Sequence, residues 1–467
     1  SGSQEVYTSP LLNDKDPGTI LSDWNGILNS KSSLITKDLL TLENLNREKF
    51  GPRSLAANWD SRKKSVYDYY SENSSLIVPD LIDAGQMRLR PISLFKAMTF
   101  LKNDTNSGLP YYRRKGLLKD MYLRDFNKLL ERKDGCVMFT RTQESYKTRT
   151  VWGFPMADTL NEMRFYRPLL EYQKNLNWRS CLLGPEAVDV SMTKLIKSSI
   201  DDNSRLLSID FSTYDSTIDS KIQKVVFNYI RSLFQPIYSP EIDYIEDRFN
   251  TIELITPDGI LQGNHGVPSG STFTNEVDSI AQFLCARSLG LSSLDFNIQG
   301  DDGVYKTSDP ISLKEGFKRF GLEVNDEKSY ISDKSLIYLQ NLHSSDYSIN
   351  GIFAGIYPTY RALNRILFQE RFNDFSAEEI KGADFYSIRT ISILENCRNH
   401  PLFSDLVKFV YNLDKYGLRY SQDSLNKYIK RINSRSGIEG IFVYRPEDNI
   451  KGIRNFKTVK LLSELNA

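Results

Sequence analysis

Cysteine is scarce in this sequence, and its copies are scattered. Four cysteines occur in 467 residues, and no two of them form a Cys-x-x-Cys pair. Their spacing predicts reduced, structural thiols, as in a cytosolic protein. Long apolar runs are also missing, since no run reaches 18 apolar residues, so a membrane-spanning helix is not expected. The length exceeds that of a single core and predicts several subdomains.

A charge excess of one sign is absent as well. The 60 lysines and arginines offset 59 aspartates and glutamates, which leaves a formal net charge of +1. The distribution is nevertheless uneven, because residues 111–149 hold 11 basic against 5 acidic side chains and residues 408–460 hold 12 against 5. Two basic segments on an otherwise acidic chain predict a charged channel for nucleic acid. A pair of solvated helical faces is the alternative.

Two stretches of the sequence each carry two aspartates at positions that predict a metal site. Residues 297–305 read NIQGDDGVY and predict two strands joined by a tight turn that carries Asp301 and Asp302. Alone, such a turn is more often a solvated hairpin. Upstream, RLLSIDFSTYD predicts an apolar strand that ends in Asp210, with Asp215 five positions later. A strand and a hairpin that each deliver a carboxylate can together hold two metal ions for phosphoryl transfer.

A loop of small residues lies between these stretches. Residues 266–274 read GVPSGSTFT and lead into a predicted helix over residues 273–289. Such a loop lets the backbone approach a ligand closely, and its hydroxyls can bind sugar or phosphate. Each of the three stretches is compatible with an ordinary strand end, helix cap or turn. The combination of all three stretches in this order is not explained by such ordinary features.

The series DxxxxD, GxPSGxxxT and GDD resembles motifs A, B and C of viral RNA-dependent RNA polymerases, and the resemblance extends over about residues 100 to 345. The version GVPSGSTFTNEVDS is most similar to polymerases of small double-stranded RNA viruses of the partitivirus and picobirnavirus kind. In picornavirus-like enzymes an asparagine usually stands four residues after the motif B threonine. Asp278 stands there in this chain, which leaves open how the ribose 2′-hydroxyl is bound.

The resemblance implies template-directed RNA synthesis from nucleoside triphosphates. Asp210, Asp301 and Asp302 would hold two Mg²⁺ (or Mn²⁺) ions. The segment GLEVNDEKSYI is similar to motif D, and its Lys328 would protonate the leaving pyrophosphate.

Further substrate contacts follow from the same resemblance. Residues 136–155 read as a β-hairpin similar to motif F, and an edge strand protected by charges is the alternative. The triphosphate would contact Arg141, Lys147 and Arg149 of this hairpin. The ribose would be bound by Asp215, Ser269, Gly270, Thr274 and Asp278, with Asn275 a weaker candidate. The template would enter past the SGLP turn, at Ser107, Gly108 and Pro110, which is similar to motif G.

The implied fold is an α+β right-hand polymerase with a split-βαβ (RRM-like) palm and with fingertips that enclose the active site. We expect an N-terminal arm bridging fingers and thumb at 1–90, fingers with motifs G and F at 91–204, palm with motif A at 205–219, a fingers and palm insertion at 220–262, palm with motifs B to E at 263–345, and thumb with a C-terminal tail at 346–467. A motif E hairpin is expected from strands at residues 336–342 and 349–356.

The C-terminal tail has an unusual composition. From residue 434 the chain turns to Gly437, Gly440 and Gly452, with aromatic residues at Phe442 and Tyr444. An aromatic side chain at a cavity wall can stack on an initiating base. Packing of the tail on the thumb surface is the alternative.

The expected partners are an RNA template and product and nucleoside triphosphates, with a viral capsid protein as a further candidate and no membrane. The implied location is the virion, inside the capsid, and the host cytoplasm. Three alternative functions remain open at this point. A reverse transcriptase usually has an aromatic residue in the place of Asp215. A metal-dependent nuclease would not need Lys147 and Arg149, and a non-catalytic RNA-binding virion component would not need the carboxylates.

Overall fold

The structure, a computed structural model, describes residues 3–71, 77–85, 88–373, 379–436 and 443–467. In these ranges the helices are α1 (Pro17–Ser30), α2 (Lys37–Glu48), α3 (Trp59–Tyr67), α4 (Leu94–Thr99), α5 (Lys119–Glu131), α6 (Met156–Gln173), α7 (Pro185–Asp202), α8 (Tyr214–Thr217), α9 (Ser220–Leu233), α10 (Ser239–Thr251), α11 (Thr274–Ser288), α12 (Pro310–Lys318), α13 (Thr359–Leu367), α14 (Gly382–Glu395), α15 (Phe403–Leu413), α16 (Gln422–Ser436) and α17 (Lys457–Leu465). The strands are β1 (Tyr7–Thr8), β2 (Cys136–Thr142), β3 (Thr148–Gly153), β4 (Arg205–Ile209), β5 (Phe211–Ser212), β6 (Leu254–Thr256), β7 (Gly259–Leu261), β8 (Phe296–Gln299), β9 (Asp302–Thr307), β10 (Glu323–Val324), β11 (Tyr330–Ser332), β12 (Ser335–Tyr338), β13 (Asn341–Ser344) and β14 (Phe368–Gln369).

An antiparallel sheet of order β11-β4-β9-β8 forms the centre of the molecule. Successive side chains of β4 point to opposite faces, so Leu207 packs with α9 and α11 while Leu206 packs with α7 and β12. A split-βαβ palm predicts helices on one face of the sheet only. Because both faces of β4 are apolar, α7 covers the second face. The sheet is therefore a rigid layer inside the protein.

A second sheet, of order β3-β2-β6-β7, contains the predicted hairpin. Strands β2 and β3 pair in antiparallel register from Val137 opposite Gly153 to Thr142 opposite Thr148. Strand β6 extends this sheet by pairing in parallel with β2. The hairpin prediction for residues 136–155 is confirmed.

The C-terminal helices share one apolar core with the beginning of the chain. Trp24 of α1 is buried among side chains of α13, α14, α15 and α17, and its indole N–H donates to the Thr359 hydroxyl at 2.9 Å. Leu462 of α17 belongs to the same core. Both ends of the described chain therefore stabilise one helical unit.

The N-terminal segment, residues 3–71, is bound to three other parts of the protein. Asp38 of α2 accepts hydrogen bonds from Tyr330 and Ser335 beside the central sheet. Helix α2 also packs against α13. The backbone N–H of Ala57 donates to the Thr148 hydroxyl of the β2–β3 hairpin at 2.8 Å. This segment therefore ties the hairpin to the helical unit across the central sheet.

Two sequence predictions of local structure are wrong in detail. The second hairpin is formed by β12 and β13, not by residues 336–342 and 349–356, because the chain reverses at Leu339 and Gln340 with φ of 52° and 69°. The apolar pattern from Ala157 to Leu183 predicts one helix, but α6 ends at Gln173 and a 3₁₀ helix follows at Asn177–Leu183. Near this break the Asn175 side chain binds the Glu171 carbonyl at 3.0 Å and competes with the helical backbone. Apolar periodicity also predicts helices around residues 218–234 and 313–320. These two and the helix predicted over residues 273–289 are confirmed as α9, α12 and α11.

Candidate active site

Three carboxylates meet where β4 ends beside the β8–β9 turn. Ile209 pairs with Gly303, so Asp210, the next residue along, lies next to Asp302 at the start of β9. Gly300 adopts φ +64°, a conformation that favours glycine, and this reversal places Asp301 at the exposed tip. The register of two strands therefore brings Asp210, Asp301 and Asp302 together.

The electrostatics of these carboxylates reflect their proximity. Burial, followed by the charge of Asp301, raises the pKa of Asp302 to about 7, although Asp302 also accepts a hydrogen bond from the Leu339 N–H at 2.9 Å. Burial also raises the pKa of Asp210; Lys328 acts against this effect and Asp301 adds to it. Burial is therefore the main cause of the raised pKa values, and the neighbouring carboxylates add to it.

Helix α11 supports the turn from behind. The Ser279 hydroxyl accepts from the Gly300 N–H at 2.8 Å, and the Gln282 amide donates to the Gly300 carbonyl at 3.0 Å. Tyr305 in turn donates to the Gln282 side chain at 2.6 Å. A Cβ at Gly303 would lie 1.9 Å from Gln282 Oε1, so this packing requires glycine at 303. Gly300 is thus needed for its positive φ, and Gly303 for the close approach of the Gln282 side chain.

A buried ion pair lies under the same turn and was not found from the sequence. Arg179 binds Glu276 of α11 through two hydrogen bonds of 2.7 and 2.8 Å, and both side chains are fully buried. The same guanidinium donates to Gln299 Oε1 at 3.2 Å, immediately before the turn. Because the partners are 97 residues apart, no local pattern signals their contact.

The small-residue loop packs tightly against the hairpin strand β3. A Cβ at Gly270 would lie 1.6 Å from the Trp152 carbonyl oxygen, so only glycine fits. The Ser269 hydroxyl donates to the Thr150 carbonyl at 2.8 Å, and the Thr274 hydroxyl lies 2.7 Å from the Pro268 carbonyl. Both hydroxyls hold the loop in place, which leaves their oxygens as acceptors for a ligand.

Asp215 and Asp278 are brought together although they are distant in sequence. Asp215, on α8, is partly exposed, and Asp278, on α11, is buried. Burial, and then the charge of Asp215, raises the pKa of Asp278 well above its usual value, so the two groups lie close together. The backbone carbonyl of Asp215 accepts from Val267 of the small-residue loop at 2.8 Å. Asn275, the weaker candidate, has its side-chain oxygen 3.0 Å from the position of a Cβ on Gly300, so it faces the turn.

Cations converge on Asp210 from separate elements. Burial lowers the pKa of Lys147, and the nearby charges of Arg149, Lys328 and Lys49 lower it further. Lys49, which was not found from the sequence, follows α2; burial and the charge of Lys328 lower its pKa, whereas Asp210 acts in the opposite direction. Among the residues that the structure describes, none of the three lysines has a carboxylate partner. The cluster is suited to a polyanion.

Arg141 has a different environment from the other predicted cations. It stands opposite Arg149 in the hairpin but pairs with Glu370 at 2.9 Å, beyond α13. Lys328 is held near Asp210 by two hydrogen bonds of neighbouring residues. The Asn325 N–H donates to the Asp210 carbonyl at 2.8 Å, and the Asp210 N–H donates to the Ser329 hydroxyl at 3.1 Å.

The SGLP turn is packed rather than open. Ser107 is buried, and its hydroxyl accepts from the Arg113 N–H at 3.1 Å. Gly108 has φ +62° and approaches the Phe154 carbonyl, and Pro110 follows a cis peptide bond. The flanking Thr105 and Lys115 line a cavity.

This cavity has a volume of about 820 Å³ and lies beside the small-residue loop, whose Gly270 and Thr272 form part of its wall. Its lining is rich in cations, which are Lys102, Lys115, Arg167, Arg365, Arg389, Arg431 and Arg435. The carboxylates of Glu447 and Asp448 are the acidic part of the lining. A space of this charge fits a nucleic-acid backbone.

A sequence model described as viral RNA-dependent RNA polymerase matches residues 55–345, which is more than half of the chain. The chain belongs to this family. A potential RNA-dependent RNA polymerase of human picobirnavirus (strain Human/Thailand/Hy005102/-) is 30% identical over 454 residues, which span 89% of this chain and 83% of the relative. The RNA-directed RNA polymerase of Cryptosporidium parvum virus 1 (strain KSU-1) is 22% identical over 48% of this chain and 44% of its own.

The solved structures agree with these relatives. The crystal structure of the RNA-dependent RNA polymerase of a human picobirnavirus superposes with a TM-score of 0.82 and 25% identity, over 100% of this chain and 95% of that one. The predicted α+β right-hand polymerase fold is confirmed. The protein is an RNA-directed RNA polymerase, a nucleotidyltransferase that copies an RNA template from nucleoside triphosphates for viral RNA replication. A reverse transcriptase, a nuclease and a non-catalytic virion component are not favoured.

Polymerases of this family use divalent metal ions, and the residues of this chain fit such ions. The carboxylates at the β4–β9 junction provide hard oxygen ligands that lie close to one another. Within the described ranges no three acidic, histidine or cysteine side chains form a ready-made metal cage. Mg²⁺ commonly takes one or two carboxylates plus substrate phosphates, so a full cage is not required.

Two composition-based expectations can be compared with the structure. All four cysteines are buried and free, as predicted. In the part of the chain that the structure describes, no helix combines the length and the apolar character needed to cross a membrane.

Proposed function

We propose that Asp210, Asp301 and Asp302 hold two Mg²⁺ (or Mn²⁺) ions at the centre of RNA synthesis. The pairing of Ile209 with Gly303 is the observation that carries this proposal, because it aligns the end of β4 with the β8–β9 turn. When bound, such ions polarise the phosphoryl oxygens and make the 3′-hydroxyl more acidic. Asp302 would act at the edge of the pair, since it also binds the Leu339 N–H.

We also propose that the lysine cluster binds the triphosphate. Lys147 and Arg149 approach from the hairpin, Lys328 from the loop after β10, and Lys49 from the end of α2. Within the described residues these cations have no carboxylate partner, and their mutual repulsion lowers the pKa of Lys147. A phosphate ligand would therefore stabilise their charged forms strongly. Lys328 is the group placed to give a proton to the departing pyrophosphate. Arg141 would bind the nucleotide only after exchanging its contact with Glu370.

The remaining assignments are part of the same proposal. Asp215, Asp278, Ser269, Gly270 and Thr274 would surround the ribose, supported by their common position between α8, α11 and β3. The turn at Ser107, Gly108 and Pro110 would border the template channel, supported by its position beside the cationic cavity.

We also propose the domain limits that the sequence predicts. These are 1–90 for the arm, 91–204 for the fingers, 220–262 for the fingers and palm insertion, 205–219 and 263–345 for the palm, and 346–467 for the thumb and tail. The tail divides into two parts. Tyr444 and Glu447 line the cavity, whereas Ile450, Ile453 and Leu462 pack into the helical core. Gly437, Gly440 and Phe442 lie outside the described residues.

A location inside the virion, with activity in the host cytoplasm, and a capsid protein as partner complete the proposal. The support is kinship with polymerases of double-stranded RNA viruses.

The central test replaces Asp301 by asparagine. In a primer-extension assay with labelled ribonucleotide and Mg²⁺, we expect Asp301→Asn and Asp210→Asn each to lose at least ~10³ in rate. Thermal unfolding should show no loss of stability, because removing a repelling carboxylate relieves strain. Asp201→Asn, on the exposed end of α7, is the matched control and should retain full activity. Near-normal synthesis by Asp301→Asn would refute the metal-site assignment.

A further inference from the structure

Residues 105–115 fold back on themselves as an arch beside the β2–β3 hairpin. The Ser107 N–H donates to the Arg113 carbonyl at 2.7 Å, and the Lys115 N–H donates to the Thr105 carbonyl at 2.9 Å. The first backbone N–H of α6 donates to the Ser107 carbonyl at 2.8 Å and joins the arch to that helix. The tip of the arch is therefore held by both of its arms.

Tyr112, at the tip of this arch, has a strained backbone. Its φ is 52°, in the left-handed region that a tyrosine rarely adopts, and its N–H donates to the Gly108 carbonyl at 2.8 Å. A bulky residue keeps such a conformation only where its surroundings impose it, and such positions cluster at functional sites. The arch therefore fixes the position of this side chain.

The Tyr112 ring lies on the Phe139 ring of β2. The ring centroids are 5.8 Å apart and the ring planes differ by 11°, so the two rings are stacked. A Cβ on Gly153 would lie 2.3 Å from the Phe139 ring, so the Phe139 ring rests against the backbone of β3. Tyr112 nevertheless remains 51% exposed. This aromatic pair thus has one covered side and one accessible side.

The register of the hairpin places the aromatic pair beside the nucleotide site. Phe139 lies opposite Val151, and Arg141 lies opposite Arg149. Residues that are opposite each other, or two apart on one strand, point to the same face of the hairpin, so Phe139 and Arg149 share a face and lie about 7 Å apart along the strands. Arg149 belongs to the cluster proposed to bind the triphosphate. The aromatic pair is therefore one step along the same face from the group that meets the incoming nucleotide.

The residues on either side of Tyr112 differ in what they contact. Arg113 and Arg114 are exposed, and neither side chain forms an ion pair within the described ranges. Tyr111 packs edge-on against the buried Tyr122, with ring centroids 6.1 Å apart, and anchors the arch to α5. An exposed ring next to such cations suits single-stranded nucleic acid, because any base can stack on the ring while the cations neutralise phosphates.

We propose that Tyr112, backed by Phe139, is a stacking platform for the first unpaired template base at the point where a double-stranded RNA template is opened. Kinship with polymerases of double-stranded RNA viruses makes a duplex the template to consider. A base that leaves a duplex loses the stacking of its neighbours, and the Tyr112 ring replaces part of that loss. The inference rests on the proposed roles of Arg149 at the triphosphate and of the turn at residues 107–110 at the template channel.

The test compares synthesis on a blunt RNA duplex with synthesis on the same template as a single strand. Tyr112→Ala should lower the initial rate on the duplex about 10-fold or more, the scale of a lost base–aromatic stack, and the rate on the single strand no more than about 3-fold. Tyr112→Phe keeps the ring and should keep the wild-type ratio of the two rates. Tyr416→Ala, which removes a 55% exposed tyrosine after α15, is the matched control and should also keep that ratio. An equal loss on both templates, or no loss on either, would overturn the proposal.

A glycine variant separates the effect of the ring from that of the backbone. Tyr112→Gly removes the ring but suits a φ of 52°, so the arch should keep its shape. We expect this variant to lose synthesis on the duplex as Tyr112→Ala does. Wild-type synthesis by the glycine variant would show that only the backbone matters, and the platform would be wrong.

A further measurement does not use activity. 2-Aminopurine, a fluorescent base that is quenched when it stacks, is placed in the duplex at each of the first three template positions ahead of the copied base. In stalled complexes, fluorescence at one of these positions should be about 2-fold or more lower for the wild type and Tyr112→Phe than for Tyr112→Ala. Equal fluorescence with all three proteins counts against the platform.

Arg149→Ala tests the proposed role on which the inference rests. An unchanged KM for the nucleoside triphosphate would remove the nucleotide role of Arg149 and with it the position assigned to the aromatic pair. A raised KM, together with Tyr112 variants that behave as the wild type does, would remove only the platform.

Discussion

At the scale of single residues, the site depends on side chains that the local sequence pattern does not mark. Lys49 stands just after α2, far in sequence from every other group of the nucleotide site. The Gly51 N–H donates to Asn364 of α13 at 2.9 Å, and Arg53 binds Glu144 of the hairpin loop at 2.9 Å. These contacts hold the backbone around Lys49 from both sides, so its ammonium is presented to the site by a fixed segment.

Lys49→Ala should weaken nucleotide binding. We expect KM for the nucleoside triphosphate to rise roughly 5- to 20-fold, about 1–2 kcal/mol for a lost contact with a charged group, with little change in RNA affinity. Lys49→Arg should recover most of the loss. The measurements are steady-state incorporation and a filter-binding titration of RNA. Lys37→Ala, at the exposed other end of α2, serves as control. Equal losses of nucleotide and RNA binding would contradict the assignment.

The sequence allowed the chemistry to be predicted but not the support of the site. Asp210 and Asp301 could be placed because a strand end and a glycine-flanked turn have local signatures. Arg179 and Glu276 could not, since a buried ion pair between distant elements has no sequence period. Asp278 was noticed as an unusual residue, but its contact with Asp215 required the fold.

At the scale of elements, α11 carries much of the site. Glu276 of this helix binds Arg179, and Asp278 lies near Asp215. Ser279 and Gln282 bind the β8–β9 turn. Apolar periodicity predicted the helix and its limits. Periodicity also predicted α9, but the β12–β13 hairpin was missed because non-glycine residues with positive φ, Leu339 and Gln340, give no turn signal.

The end of the small-residue loop is anchored to α6 by a buried acid. Glu162 accepts from the Ser271 hydroxyl, whose oxygen in turn accepts from the Phe273 N–H at 3.0 Å. Burial raises its pKa to about 8. An unfolded glutamate ionises near pH 4.3, so the unfolded chain releases this proton first as the pH rises, and stability declines up to about pH 8.

Glu162→Gln should remove this part of the pH dependence. Between pH 5 and pH 8 the free energy of unfolding of the wild type should fall by on the order of 2 kcal/mol more than that of the variant. The reason is that the amide of the variant has no proton to lose. Chemical denaturation at the two pH values measures the difference. Glu171→Gln, on the exposed side of the same helix, should leave the wild-type slope unchanged. Parallel slopes for Glu162→Gln and the wild type would show that the acid is ionised in the fold.

At the scale of the whole molecule, the N-terminal segment closes the site by joining the hairpin to the helical unit. Arg53 pairs with Glu144 at 2.9 Å, and both side chains are largely buried, at 14% and 16% exposure. Asn364 of α13 approaches the same carboxylate at 3.5 Å. Three separate parts of the chain thus meet at Glu144.

Breaking this junction should shorten the RNA made in one binding event. We expect Arg53→Ala and Glu144→Ala each to reduce product length roughly 2- to 5-fold in the presence of a heparin trap, the effect of about 1 kcal/mol. The double variant should be no worse than the stronger single variant, because both remove one contact. Lys31→Ala, which removes the surface pair with Asp405, is the control. Additive losses would mean that the two residues act separately.

The shared core of α1 and α17 has a consequence for folding during translation. Trp24 is made before its neighbours on α13, α14, α15 and α17, which come much later in the chain. Until then α1 lacks the apolar surface that buries it, and the segment after it cannot close over the nucleotide site. Domains otherwise tend to fold in the order of synthesis. A nascent or prematurely terminated chain is therefore expected to be catalytically silent, so that copying starts only from finished polymerase molecules.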